Sequence, residues 1–180
     1  MAEDLVIEQT TNWIEEVVIG CNFCPFAAKV FQQKSIRYKV VETTNAKESL
    51  ATLITELQLL DETPLIETGF IIFPNHYQDF YSYLDFIDKA ERLMVKEGYE
   101  GVYQLASFHP NYCFAGADEN DAANFTNRSI YPMLHILRED SITKALEHFP
   151  DPDKIPERNV HFAQQKGLKY MQLLRSSCFK

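Results

Sequence analysis

The chain predicts a mixed sheet of about four strands covered by helices, an α/β or α+β architecture in a single domain. Three observations carry this. Short β-rich runs at 36–43, 68–73 and 102–108 alternate with helical patterns at 45–60 and 77–97. A further apolar run at 133–138 reads as a strand or as the start of a helix, after a long polar connection. The 180 residues contain no internal repeat and no linker composition, and are too few for two comfortable domains. The succession strand, helix, strand, helix, strand, strand, helix fits a thioredoxin-like order, with a ferredoxin-like sandwich as the alternative.

Residues 4–19 set Leu5, Val6, Trp13, Ile14, Val17 and Val18 at helical spacing, and Gly20 stops that helix. In the next piece Pro25 suits a first helical turn, so Cys24 falls at or just before a helix start. Ile36 to Thr43 is β-branched and aromatic and predicts a strand; Asn45 with Glu48 resembles a capping box for the helix that follows. Thr68 to Phe73 suits a buried strand, ended by Pro74 and Asn75. Helix 77–97 is expected to face inward with Phe80, Leu84, Ile87, Leu93 and Met94, with Tyr81 and Tyr83 as packing residues, and to close at Gly98. Val102 to Phe108 alternates like a strand and delivers His109 and Pro110 at its end. Asp140 and Ser141 suit the cap of one more helix, and a last helix over 157–175 is interrupted by Gly167.

The net charge of −9 argues against a general nucleic-acid binder, which needs a basic surface to displace counterions from phosphates. No apolar run approaches the roughly 20 residues of a membrane span. The acidic start lacks the basic end and apolar core of a secretory signal, so cytoplasmic residence is expected. Four cysteines, Cys21, Cys24, Cys113 and Cys178, are unlike a disulfide-dense scaffold and read as free thiols.

Chemistry concentrates between Phe108 and Glu139. His109 follows a strand end, where ligand crevices of open α/β sheets form; a hydrogen-bonded terminal histidine is the equal alternative. Asn124, Thr126, Asn127, Arg128 and Ser129 make a dense donor set, and Arg128 and Arg138 could each grip a carboxylate or phosphate two-pronged. Asp118, Glu119 and Asp121 call for a balancing cation or Arg128, or else mark a helix start. If 133–138 is a strand, His135 shares a face with Met133 and Leu137, where a lone histidine is more often core than ligand. Imidazole with Asp118 or Asp121 would suit zinc, iron or manganese, but the spacing matches no ligand pattern and no metal is assigned. Cys21 and Cys24 form C-x-x-C, which can support thiol exchange; it precedes the first strand, whereas a thioredoxin-type pair follows it. Cys24 alone as a nucleophile is the remaining option.

Gly20-x-x-x-Cys24-Pro25-Phe26-Ala27, Phe108-His109-Pro110-x-Tyr112-x-Phe114-Ala115-Gly116 and Thr126-Asn127-Arg128-Ser129-x-Tyr131-Pro132-x-Leu134-His135-x-Leu137-Arg138-Glu139 together resemble a widespread, mainly bacterial family known only as a domain of unknown function. Glu157-Arg158-Asn159 is similar to it too. The resemblance implies no reaction. It picks out Cys24, His109, Asn127, Arg128, His135 and Arg138, and finds Cys21 and Cys113 where the family has other residues.

The expectation is therefore a soluble enzyme acting on a small anionic metabolite. Arg128, Arg138 and Asn127 would hold the anion; His109 or His135 would move a proton, and Cys24 would be nucleophile or structural thiol. The rivals are a binding or regulatory domain without turnover, and a thiol redox protein using Cys21 and Cys24. No cofactor and no oligomeric state is written in the sequence. The enzymatic expectation requires His109 and the two arginines to meet around one hollow.

Overall fold

Strands β1 (Ile36–Val40), β2 (Thr68–Ile72), β3 (Tyr103–Phe108) and β4 (Met133–Arg138) form one sheet of order β1-β2-β4-β3 in a computed structural model, which describes residues 2–147 and 149–180. β1 and β2 are parallel, and β4 lies antiparallel to both β2 and β3. Three strands therefore run one way, with β4 inserted against them. Along the chain the succession β-α-β-α-β-β-α holds, and the β-α-β-β-α-β succession of a ferredoxin-like sandwich does not.

The helices fall on both faces because β2 is buried along its whole length. Phe70 and Ile72 point to one side, into a core with Val6, Trp13, Val17, Phe125, Met133, Ala163 and Met171; Ile71 and Phe73 point to the other, with Leu53, Leu57, Tyr83, Phe86 and Leu134. The first layer is built from α1 (Glu3–Trp13), a π-helical continuation over Ile14–Ile19, α6 (Ile155–Lys166) and α7 (Leu168–Ser177). The second is α3 (Ala46–Glu62) and α4 (Phe80–Lys96). Two short helices, α2 (Ala27–Gln32) and α5 (Glu139–Glu147), bury no residue fully and sit at the periphery.

Local chemistry accounts for most boundaries. Asn45 caps α3 by accepting from Lys47 N at 2.9 Å, and Asp79 caps α4 by accepting from Ser82 N at 2.8 Å. Gly167, at φ 82° and ψ 159°, breaks the last helical stretch into α6 and α7. Gly20 closes the π-helical turn, where any side chain would collide with the Glu16 carbonyl. Three expectations need correction. α4 turns Tyr83, Phe86, Ala90 and Met94 inward, leaving Leu84 exposed and Tyr81 78% exposed. Leu5 is likewise exposed, because the inward face of α1 runs through Val6, Gln9, Thr10 and Trp13. β4 passes into α5 without a capping loop, since Glu139 N is already bonded to Val102 O at 3.0 Å.

Candidate functional site: a turn held by two arginines

The carboxyl ends of β1, β2 and β3 share one edge of the sheet, and His109 follows β3 there. Its ring is fully enclosed. Nδ1 accepts from Asn111 N at 3.0 Å, so the ring proton resides on Nε2, which donates to Tyr77 O at 2.7 Å. Tyr77 adopts φ 59°, a left-handed conformation that costs a bulky residue about 1 kcal/mol or more, and that turn brings its carbonyl to the histidine. Phe80 and Tyr83 flank the ring at centroid distances of 5.1 and 5.0 Å. Burial lowers the His109 pKa below its ordinary value, only partly opposed by the Tyr77 carbonyl and Asp79. The imidazole is thus held neutral with both nitrogens engaged.

The segment after His109 is organised by Asn124, itself fully buried. Asn124 Oδ1 accepts from Phe114 N at 3.0 Å, and its Nδ2 donates to Asp118 O at 2.9 Å. Asn127 joins this segment to the sheet, its carbonyl accepting from His109 N at 3.2 Å and its side chain donating to Ser107 O at 3.4 Å. Two of the three acids, Asp118 and Asp121, are spent locally. Asp118 accepts from Asn120 N at 2.7 Å, while Asp121 caps the 3-10 turn Ala122–Thr126 and accepts from Gln164. No three His, Cys, Asp or Glu side chains gather as a metal set among the described residues.

Arg128 does not pair with those carboxylates. Its Nε and Nη2 donate to the backbone carbonyls of Tyr112 and Glu119, both at 2.8 Å, and its guanidinium lies 5.0 Å from the Phe125 ring centroid. A second guanidinium, absent from the sequence-derived set, arrives from α7. Arg175 Nη1 donates to Pro110 O at 2.6 Å and its guanidinium lies 5.4 Å from the same ring. Two arginines therefore grip carbonyls two residues apart in the His109 turn. Burial lowers the pKa of both, and for Arg175 the charge of Arg128 adds to the effect. Arg175 Nε is buried without an acceptor, and among the described residues neither guanidinium has a carboxylate within ion-pair distance. Glu119 acts on Arg128 only from farther away. The arrangement can bind negative charge.

The other sequence-derived residues lie elsewhere. Arg138 pairs across the sheet with Tyr103, whereas Phe108, just before His109, pairs with Met133; five residues of strand put Arg138 roughly 17 Å from the His109 end. There it donates to Leu60 O at 2.6 Å, to Ile66 O at 3.1 Å and to Tyr103 Oη at 3.0 Å, closing the end of α3. The expected grip by Arg128 and Arg138 together is not formed, because β4 runs antiparallel to β3 and carries Arg138 away. His135 lies mid-strand on the face it shares with Met133, stacked on Phe70 at 4.0 Å. The Thr68 hydroxyl donates to Ile136 O, so it accepts from His135 Nε2 at 2.7 Å; burial pushes the ring down to about 3.

Cys24 sits half-buried in the turn before α2. Burial pushes its thiol up, opposed only in part by the backbone N–H groups of Phe26 and Ala27; burial raises Cys21 as well. The turn is pinned from α6, where Arg158 donates to Asn22 O and Asn159 to Phe23 O, each at 2.7 Å. That accounts for Arg158-Asn159. No hydrogen bond or ion pair joins Cys24 to His109, His135, Arg128 or Arg175 among the described residues.

Comparison with known families gives a match. The sequence pattern of a family described as a protein of unknown function (DUF1415) covers residues 5–173. No curated protein and no solved structure matches the chain. No helix of the described residues is long and apolar enough to cross a membrane.

Proposed function

We propose, for a chain that belongs to the DUF1415 family, a binding role in which Arg128 and Arg175 capture a small anion beside the His109 turn. The observation that carries this reading is the pair itself: two half-buried guanidiniums against one ring, with no carboxylate within ion-pair distance of either among the described residues. Like charges drawn out of water repel, and a buried charged donor without an acceptor is costly. An oxyanion would relieve both. In a protein of net charge −9, such a local excess of positive charge also needs a use.

Binding is favoured over turnover because the groups that would move protons are committed. His109 is enclosed between Tyr77 and Asn111, and His135 faces the core. The thiols Cys21 and Cys24 are shifted away from the thiolate, which also weighs against the redox alternative.

The test is thermal unfolding with and without sodium phosphate, against sodium chloride at equal ionic strength, followed by isothermal titration calorimetry. The intact chain is expected to gain about 2.7 kcal/mol at a phosphate concentration of roughly 100 Kd, and Arg175→Gln to lose most of that gain at the same concentration while keeping the same circular dichroism spectrum. No heat of binding and no phosphate-specific rise in Tm in the intact chain would end the proposal.

A further inference from the structure

We infer that the site formed by Arg128 and Arg175 selects a doubly charged oxyanion, of the sulfate or phosphate-monoester kind, over a singly charged one; this rests on the anion-binding reading above. The argument is one of charge count and donor geometry. The two guanidiniums bring two positive charges to one turn. Among the described residues, the groups that accept their hydrogen bonds or stack on them are neutral: the carbonyls of Pro110, Tyr112 and Glu119 and the face of Phe125. A monoanion would leave one charge uncompensated in a partly desolvated place, and a dianion would leave none.

The donors agree with the charges. Arg128 has spent Nε and Nη2 on carbonyls, so Nη1 is the nitrogen it has left to offer, whereas Arg175 has spent Nη1 and retains Nε and Nη2, the two members of one fork. A tetrahedral oxyanion presents one pair of oxygens to a fork and a third to a single donor. Arg175 Nε, now buried without an acceptor, would gain one as the side chain swings toward the ligand. Glu119, whose carboxylate acts on Arg128, is exposed and outside ion-pair distance of it, so it does not supply the second negative charge.

Sulfate and methyl sulfate separate the two ideas, because esterifying one oxygen keeps the tetrahedral centre and removes one charge. Titration of the full chain with each, at matched ionic strength, is expected to show sulfate binding at least about tenfold tighter, since one further charge at contact distance is worth more than that ratio at the effective dielectric of about 20 typical near a protein surface. In Arg175→Gln, where one of the two cations that meet the second negative charge is gone, the preference should fall to about a third or less of its value in the intact chain, and in Arg175→Lys, which keeps the charge but not the fork, it should persist with weaker binding of both ions. Equal affinity of the intact chain for the two ions would overturn the inference and leave anion binding standing. A preference that survives unchanged in Arg175→Gln would also overturn it, by locating the source elsewhere. Binding of neither ion would remove this inference and the binding role together.

Discussion

His109 and His135 show how a residue with catalytic credentials becomes structural once its neighbours are known. Each ring has a hydrogen-bond partner, His109 buried and His135 half-buried, and both have folded pKa values below the free value of 6.5, His135 near 3. The sign of the pH effect follows. As pH falls through about 6.5 the unfolded chain takes up protons that the folded chain refuses, so stability is full above that point and is lost progressively towards pH 3. Urea midpoints are expected to fall between about pH 7 and pH 5, and His135→Phe, which keeps the stack on Phe70, should flatten that dependence. Tyr83 makes a second prediction at this scale. Its buried hydroxyl donates to Met133 O at 2.7 Å and accepts from Phe108 N at 3.1 Å, tying β4 and β3 where the His109 turn begins. Tyr83→Phe should cost about 1–3 kcal/mol in equilibrium unfolding, because the two hydrogen bonds between this hydroxyl and the backbone are lost. Among single residues, Arg128 was legible in the sequence from its dense donor neighbourhood. Arg175 was not: near the end of an amphipathic helix an arginine looks like an ordinary surface residue favourable to the helix dipole, and only folding brings it to Pro110.

The strands were the most legible elements, and for a stated reason: runs such as Thr68 to Phe73 have no polar face to offer water, so burial on both sides is the only arrangement open to them. α4 was legible as a helix and not as a face. Aromatic and aliphatic side chains occur around much of its circumference, so Phe80 and Leu84 competed with Tyr83 and Phe86, and the sheet beneath decided between them. Arg138 failed at the same scale. Its placement depends on the direction of β4, which periodicity does not encode, and on a partner set of carbonyls from α3 and the loop after it. The break between α6 and α7 was readable from Gly167. No atom lies within 4 Å of where a side chain would begin there, so Gly167→Ala should cost only the backbone strain, of order 1–3 kcal/mol, measurable as a lower urea midpoint with an unchanged m-value.

At the scale of the whole molecule, the sheet is the structure common to two cores, and its central strands belong to both. β2 is buried at every position, whereas β1 and β3 are edges and α2 and α5 bury nothing fully. Native-state hydrogen exchange should therefore be slowest in β2 and β4, intermediate in β1 and β3, and fastest in α2 and α5, with peptide-resolved mass spectrometry as the measurement. A uniform rate across the chain would contradict a two-layer organisation around a shared centre.

Trp13 is the chain's one tryptophan, and it packs against Phe108 while its indole N–H donates to Arg128 O at 3.2 Å. The protein thus carries its own fluorophore one hydrogen bond from the proposed receptor, with no competing indole to blur the signal. A change in emission wavelength or intensity on adding salt of the right kind would report occupancy directly, without a label, in a cuvette.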